Sequence, residues 1–151
     1  MDTLAGNAGL DTPAWNAGLD DVLAVVEELA AAFAGAGHRL YLVGGVVRDL
    51  LLGSLTSHDD IDLTTDAHPP RIKALVSPLA SDVWSQGERF GTIGARVRGR
   101  AVEITTHRAE AYDPASRKPV VSFGHSIVDD LSRRDFTINA MAVSLPDREL
   151  L

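Results

Sequence analysis

Cysteine is absent from this sequence of 151 residues. Its absence excludes a disulfide-stabilised fold, thiolate zinc sites, iron–sulfur clusters and a cysteine nucleophile. Long apolar runs are absent too, because every apolar stretch is interrupted well short of the ~20 residues that a membrane-spanning helix needs. No basic and then apolar segment with a small-residue cleavage site follows Met1, so no secretory signal is predicted. We therefore expect a cytoplasmic enzyme or binding domain without a membrane partner.

The sequence also lacks an excess of positive charge. Its 14 Lys and Arg residues are outnumbered by 21 Asp and Glu residues, which gives a net charge of -7. Residues 1–85 hold 4 basic and 12 acidic side chains, whereas residues 86–151 hold 10 basic and 9 acidic ones. A protein that binds nucleic acid by itself usually has a basic surface, and this chain does not. The acidic half is either a solvated surface or a source of carboxylates for metal ions.

The composition is otherwise ordinary for a folded protein, with 45% hydrophobic and 23% charged residues. A mass of 16.1 kDa favours one domain. Residues 1–18 mix Ala, Gly, Asn, Asp and Pro without a period, and we interpret them as a flexible leader before a domain at 19–151. Residues 144–148 predict a strand and a turn shortly before the last residue, so we expect the front part of a longer protein.

The hydrophobic pattern predicts alternating helices and strands. Helical spacing predicts helices at 19–36, 46–52, 69–79, 126–131 and 135–143. Apolar or alternating runs predict strands at 40–43, 60–64, 82–85, 92–98 and 101–106. Gly99-Arg100 is predicted to form a tight hairpin turn. Residues 109–124 lack a period and contain two prolines, which predicts a long mobile loop.

The first candidate site is GGVVRD at 44–49, between a predicted strand and a predicted helix. Gly44 and Gly45 allow the backbone to approach a ligand closely, and the helix start offers free N–H groups to a phosphate. Arg48 can add a bidentate contact to phosphate oxygens. The spacing matches neither the dinucleotide fingerprint nor a P-loop. A Gly-Gly turn standing alone is more often plain turn geometry.

The second candidate is the pair Asp60 and Asp62. On a strand, residues i and i+2 project to the same face, so both carboxylates would point together, with Ile61 anchored on the other side. Two like charges side by side are unfavourable unless a cation lies between them. Hard divalent ions such as Mg²⁺ take this oxygen ligation. The alternative is an exposed acidic strand end.

The third candidate is Glu103, which stands between Val102 and Ile104 in a predicted central strand. A buried carboxylate needs a partner because burying it alone is costly. Glu103 would therefore face the same metal ions as the aspartate pair, or else point to solvent from a sheet that is covered on one side only.

The fourth candidate is RRDFTINA at 133–140. Asp135 and Asn139 lie four residues apart on a predicted helix, so they would offer an acceptor and an amide from one helix face. Arg134 at the helix entrance would reach a triphosphate. Alternatively, Asp135 is an acid at a helix start and the arginines form a solvated cluster.

In this order the four segments resemble the nucleotidyltransferase head of class II tRNA nucleotidyltransferases (CCA-adding enzymes), a family that includes bacterial poly(A) polymerases. The resemblance covers roughly residues 38–145. It implies an α/β (α+β) fold, a polymerase-β-like palm in which a mixed sheet carries the metal carboxylates and helices pack on it. The matching segments are LVGGVVRDLLLG at 42–53, DDIDLTTDA at 59–67, FGTIGARV at 90–97, VEITTHR at 102–108 and RRDFTINAMAV at 133–143.

The resemblance implies a role for each candidate residue. Asp60 and Asp62 would bind two Mg²⁺ ions, and Glu103 would be the third palm carboxylate.

The glycine pair at 44–45 and Arg48 would hold the phosphates of the incoming nucleotide. Arg134 would contact the same nucleotide, and Asp135 and Asn139 match positions near its ribose.

The resemblance also implies the reaction. The terminal 3′-hydroxyl of a tRNA would attack the α-phosphate of CTP or ATP and release pyrophosphate, without a covalent enzyme intermediate. The loop at 53–60 is about two residues longer than the family pattern, which would alter only a connection. The neck, body and tail of the family, with the base-selecting residues and most of the tRNA surface, would lie beyond Leu151.

Three alternatives stay open at this point. The first is a poly(A) polymerase of the same family. The second is a catalytically inactive nucleotide-binding fragment. The third is a metal-dependent phosphohydrolase built on His58 and Asp59, which is disfavoured because the remaining histidines are scattered along the sequence. The sequence predicts no oligomeric state.

Overall fold

The structure is a computed structural model that describes residues 13–52, 60–112, 119–123, 127–132, 142–145 and 147. The helices within these ranges are α1 Pro13–Gly35, α2 Gly45–Leu52, α3 Pro69–Val76 and α4 Ile127–Ser132, with 3₁₀ turns at Ser77–Leu79 and Glu88–Phe90. The strands are β1 Leu40–Val43, β2 Ile61–Thr65, β3 Asp82–Trp84, β4 Thr92–Val97, β5 Arg100–Thr106, β6 Arg108–Tyr112, β7 Pro119–Phe123 and β8 Ala142–Leu145.

Six of the strands form one mixed sheet in the order β3-β4-β5-β2-β1-β8. The β2–β5 pair is parallel, and the other described pairs in this sheet are antiparallel. Parallel neighbours need a crossover connection, and the segment between β2 and β5, which contains α3, β3 and β4, supplies it. The predicted α+β class with a mixed sheet is confirmed.

The main hydrophobic core lies on one face of this sheet. Along β5, Val102 and Ile104 are buried on that face, whereas Glu103 between them is exposed on the other. The helices α1, α2 and α3 contribute the remainder of the core, with Phe33, Val47 and Ile72 fully buried. The period-2 alternation of the strands therefore separates an apolar, helix-covered face from a polar face.

Helix α1 begins earlier than the sequence predicted. It starts at Pro13, so the interpretation of residues 1–18 as a flexible leader is wrong for 13–18. Proline lacks an N–H group and is well tolerated in the first helical turn, where that group would have no intrahelical partner. Residues 1–12 lie outside the described residues.

The strands and the turn at the β4–β5 hairpin follow the predictions to within one residue. Strand β2 begins at Ile61 rather than at Asp60. The two-residue turn is Arg98-Gly99 rather than Gly99-Arg100, because Val97 pairs with Arg100. Both turn residues have positive φ, at 51° and 80°, as in the type I′ turns that match the twist of a hairpin.

The predicted mobile loop at 109–124 is wrong where the structure describes it. Strands β6 and β7 form a two-stranded antiparallel ladder from Arg108↔Phe123 to Tyr112↔Pro119. The β-branched and aromatic residues at 120–123 favour a strand, and Pro119 stands at a strand end, where a missing N–H is tolerated. Residues 113–118 lie outside the described residues.

The predicted helix at 135–143 is wrong at its last two residues. Ala142 and Val143 belong to β8, which pairs with β1. Both side chains are buried, and the edge position beside β1 lets them continue the sheet. Residues 133–141 lie outside the described residues. Among the described helices, none is both long and apolar enough to cross a membrane.

Candidate active site

The polar face of the sheet brings two of the predicted carboxylates together. Asp62 on β2 is in register with Glu103 on β5, and Glu103 is in register with Gly94 on β4. Residues in register project to the same face, and adjacent strands lie about 4.8 Å apart, so the two carboxylates are neighbours across the parallel pair. The parallel pairing therefore joins two acidic side chains that are far apart in the sequence.

The two carboxylates differ in their exposure. Asp62 is half-buried, whereas Glu103 is exposed. The sequence left two alternatives open for Glu103, and the structure shows the solvent-facing one, since its strand is central but its side chain lies on the polar face. Because the side chain is exposed, its carboxylate oxygens are accessible to a cation.

Asp60 is the third predicted carboxylate. It directly precedes β2 and is exposed, outside the ladder that sets Asp62 against Glu103. In the part of the chain that the structure describes, no group of three or more His, Cys, Asp or Glu side chains forms a metal cluster. The structure thus pairs Asp62 with Glu103 and leaves Asp60 at the entrance of the same strand.

The glycine turn lies directly beside Asp62. Gly44 follows β1 with φ of 73°, a conformation that side chains other than that of glycine rarely adopt. A Cβ at this position would lie 3.5 Å from Oδ2 of Asp62. The first two candidate segments of the sequence therefore meet at one point on the polar face.

Arg48 lies at the start of α2, next to this turn. Its Nη2 lies 3.2 Å from the position that a Cβ of Gly45 would take. Its Nε donates a hydrogen bond of 3.1 Å to Oδ1 of Asp49, which holds the guanidinium in place. The guanidinium thus lies over the first residues of α2, where the backbone N–H groups and the helix dipole also favour an anion.

A hydrogen-bonded network of threonines and a histidine lies one row further along the same strands. The Thr64 hydroxyl donates to the carbonyl of Thr105 at 2.9 Å and lies 2.9 Å from Nδ1 of His107. Because that hydroxyl has one proton, His107 donates from Nδ1 and Thr64 accepts. Thr92 and Thr105 share a further hydroxyl contact of 2.9 Å.

Sequence reasoning missed this network. His107 is only 1% exposed, and its ring packs against Tyr41 at 5.8 Å between centroids. The signal that could have found it is the alternation along β5, which places Thr105 on the same face as Glu103.

A second feature that sequence reasoning missed is the contact between Trp84 and Gly94. The two residues are directly paired between β3 and β4. A Cβ on Gly94 would collide with Nε1, Cε2 and Cδ1 of the indole, so the indole lies against the backbone of β4. The absence of a side chain at Gly94 is therefore what makes room for the indole.

Helix α4 packs on the polar face at its other end. Ile127 and Leu131 contact a small cluster formed by Tyr41, Val43 and Ala142. The predicted nucleotide contacts at 133–140, namely Arg134, Asp135 and Asn139, follow this helix in the sequence and lie outside the described residues.

The arrangement combines two kinds of ligand-binding group. The carboxylates supply oxygen atoms, which are the ligands that hard divalent cations prefer. The guanidinium of Arg48 and the N-terminus of α2 favour an anion such as a phosphate. Because Gly44 links the two, a metal–phosphate ligand fits the site better than either ion alone.

The comparisons with known proteins agree with this geometry. Residues 40–151 match the model of the Poly A polymerase head domain. The CCA-adding enzyme of Lactobacillus helveticus is 39% identical over 128 residues, which cover 84% of this chain and 31% of that protein.

Two solved structures are similar in both sequence and fold. The CCA-adding enzyme of Bacillus stearothermophilus in complex with CTP is 32% identical with a TM-score of 0.65, covering 83% of this chain and 29% of that one. A tRNA nucleotidyltransferase complexed with a primer tRNA and an incoming ATP analog is 34% identical with a TM-score of 0.63, covering 82% and 33%. The chain thus spans about a third of the length of these proteins.

Proposed function

The chain belongs to the poly(A) polymerase head domain family, and from this premise we propose that it is the nucleotidyltransferase head of a CCA-adding enzyme. In this function, CMP and AMP from CTP and ATP are added to the 3′ end of tRNA without a template. The observation that carries the proposal is the contact between the glycine turn and the carboxylate row, where Gly44 lies beside Asp62. A nucleoside triphosphate with a bound divalent cation needs both groups at one place.

The carboxylates are the proposed holders of the metal. Asp62 and Glu103 offer oxygen donors from adjacent strands, and Asp60 would complete the set from the entrance of β2. This donor chemistry suits a divalent cation, and we propose two Mg²⁺ ions. Bound there, the ions would activate the attacking oxygen and stabilise the leaving group.

The proposed phosphate site consists of the glycine turn, the N-terminus of α2 and Arg48. The backbone N–H groups and the guanidinium bind the phosphates, which are common to CTP and ATP, so this part of the site does not distinguish the bases. Arg134, Asp135 and Asn139 stay predictions from the family resemblance, with Arg134 on the nucleotide and the other two near its ribose.

The proposed reaction is one in-line displacement at phosphorus. The 3′-hydroxyl oxygen of the acceptor RNA bonds to the α-phosphorus, and the bond from that phosphorus to the bridging oxygen of the β-phosphate breaks. Pyrophosphate takes the electron pair of the broken bond, and the hydroxyl proton passes to solvent. The role of the chain is to bind and orient both reactants, which is where most of the rate enhancement of phosphoryl transfer arises.

An incorporation assay tests the proposal and its nearest alternative. The protein is incubated with Mg²⁺ and a tRNA that lacks its 3′ CCA, with labelled CTP and ATP together or with ATP alone. A CCA-adding enzyme adds three nucleotides and stops, whereas a poly(A) polymerase extends the RNA with ATP alone to long products. Calorimetry with CTP and ATP in Mg²⁺ identifies a catalytically inactive fragment, which would bind nucleotides without turnover.

The described residues do not support the hypothesis of a metal-dependent phosphohydrolase. His38 is hydrogen-bonded to Asp66 at 3.2 Å, and the buried His107 is hydrogen-bonded to Thr64 at 2.9 Å. His58 and Asp59 lie outside the described residues. The predicted cytoplasmic location stays an expectation from the composition.

A further inference from the structure

The polar face carries an aromatic side chain that has no role in the proposed reaction. Trp84 is paired with Gly94, and Gly94 is paired with Glu103. The indole lies where a Cβ of Gly94 would be, which places it on the face of the carboxylates. Val83, its neighbour along β3, packs against the core on the opposite face. Trp84 therefore lies in the same row as Glu103 and Asp62.

The order along this row separates two sides of the site. The glycine turn lies next to Asp62 on one side, and the indole lies beyond Glu103 on the other. In an in-line displacement, the attacking oxygen of the acceptor and the leaving pyrophosphate lie on opposite sides of the reacting phosphorus. Since the glycine side holds the groups suited to a triphosphate, the indole side is left for the acceptor.

We propose that Trp84 is a stacking surface for an unpaired base at the 3′ end of the RNA acceptor. The inference rests on the proposed function and adds a residue that binds the acceptor and not the nucleotide. Indole rings are strong stacking partners for nucleobases, and such stacking is tolerant of sequence because every base has a π-face. Trp84 is half-buried, so its ring is anchored by the sheet and part of it still reaches solvent.

The charges near the indole favour the same partner. Arg96 is the next residue on this face of β4 and is exposed. In the connection between β3 and β4, the exposed Arg89 places its guanidinium 4.7 Å from the centroid of the Phe90 ring, and Phe90 is 43% exposed. Arginines interleaved with aromatic rings are typical of surfaces that bind single-stranded nucleic acid. Arg96 also brings positive charge to the face of the acidic row, where it is in register with the exposed Asp82 of β3.

Tryptophan fluorescence tests the inference directly. The chain contains two tryptophans, so Trp15→Phe leaves Trp84 as the fluorophore. We titrate this variant in Mg²⁺ with a tRNA lacking its 3′ CCA and, separately, with CTP. We expect the RNA to quench the emission and CTP to leave it unchanged. Quenching by CTP to the same extent would overturn the inference, because Trp84 would then face the nucleotide.

Affinity measurements on substituted chains give a second readout. Trp84→Ala is expected to raise the Kd for the RNA by roughly five- to a hundredfold and to leave the Kd for CTP unchanged. Trp84→Phe should keep most of the RNA affinity, and Trp15→Phe, on the helix α1, is the matched control with full affinity. Equal losses of RNA and CTP affinity in Trp84→Ala would indicate a structural role and overturn the inference.

Gly94→Ala separates stacking from general damage. The new Cβ would displace the indole, so this substitution should weaken RNA binding when Trp84 is present and have little effect in the Trp84→Ala background. Two results overturn the inference and leave the nucleotide site standing. One is unchanged RNA affinity in both Trp84→Ala and Gly94→Ala. The other is an absence of RNA binding while CTP still binds through Arg48. If neither CTP nor RNA binds, the proposed function itself fails, and the inference fails with it.

Discussion

The two faces of the six-stranded sheet are built from the same strands, but one face packs in the core and the other carries the candidate site. On β2, Leu63 is 1% exposed and packs in the core, whereas Asp62 beside it faces the glycine turn. On β5, Ile104 is fully buried and Glu103 is exposed. Alternation along each strand thus places a core residue next to a candidate ligand of the substrate. On each strand, the core residue and the candidate ligand-binding residue are adjacent in the sequence and lie on opposite sides of the sheet.

This comparison predicts that neighbouring substitutions have separable effects. A change on the apolar face removes contacts within a close-packed interior, so it lowers stability. A change of a carboxylate on the polar face removes a candidate ligand-binding group that lies outside the apolar core, so its main effect should be on activity.

The largest expected effect is that of Asp62→Asn on activity. The substitution keeps the size of the side chain and removes its charge, so nucleotide incorporation should fall about a thousandfold or more, equivalent to at least ~4 kcal/mol of transition-state stabilisation. The measurement is the rate of labelled CTP incorporation. Thermal unfolding without Mg²⁺ should change by less than ~1 kcal/mol, and a large loss of stability would contradict the separation of the faces.

Leu63→Ala is the matching substitution on the apolar face. It removes a fully buried side chain from the core cluster, so the free energy of unfolding should fall by about 2–5 kcal/mol. Urea denaturation measures this loss. At a temperature where the variant is still folded, its KM for CTP should stay close to that of the parent chain, and a KM raised tenfold would show that the two faces are coupled.

Arg48→Ala tests the phosphate site. Loss of a charge-assisted contact should lower kcat/KM by roughly tenfold to a hundredfold for CTP and for ATP alike, or about 1.5–3 kcal/mol. Arg48→Lys should restore part of the loss, because lysine supplies the charge without the planar fork. Arg71→Ala, at an exposed position on α3, is the control. A loss confined to ATP would mean that Arg48 reads the base.

Thr64→Val tests a buried hydrogen-bonded network on the polar face, where we expect an effect on stability. The substitution keeps the shape and removes the hydroxyl, so Nδ1 of His107 and the carbonyl of Thr105 lose that partner. Stability should fall by about 1–3 kcal/mol, the cost of a buried polar group without its hydrogen bond. Thr92→Val, which removes a half-buried hydroxyl contact, should cost less in the same denaturation experiment.

The smallest expected effect is a gain in stability from Arg98→Asn. Arg98 has φ of 51°, a conformation that costs most residues about 1–2 kcal/mol and that asparagine adopts readily. Its ion pair with Glu28, at 2.9 Å, is exposed and worth about 0.2–1 kcal/mol. The net change should be a gain of roughly 0.5 kcal/mol. Glu28→Gln measures the ion pair alone, and a net loss in Arg98→Asn would show that the pair is worth more than an exposed contact.

The strands of the sheet could be predicted because their pattern is local. The buried run of β1, the alternation of β5 and the helix start after the glycine pair are each encoded within a few residues. The same is true of the carboxylates, since Asp62 and Glu103 stand in distinctive segments. Their presence on one row could be expected only through the family resemblance, because no local pattern determines which strands are neighbours.

The features that could not be predicted depend on contacts between distant residues. Strands β6 and β7 stabilise each other by pairing, and neither has a clear alternation by itself. The position of the Trp84 indole depends on the absence of a Cβ at Gly94, ten residues later in the sequence. Likewise, the first residue of β8 is determined by its pairing with β1.

The parallel pairing of β2 with β5 also determines when the site forms during folding. The strands β4 and β5 are joined by a two-residue turn, so their hairpin is a local structure that closes quickly. Thr64 and Thr105, in contrast, are 41 residues apart in the sequence, and bringing their strands together requires a much longer loop to close. We therefore expect the hairpin that carries Glu103 to close before Asp62 is brought beside it. Competence to bind is a property of the completely folded domain, and a ligand that contacts both strands stabilises the whole domain by mass action, by about 2.7 kcal/mol at 100 times its Kd.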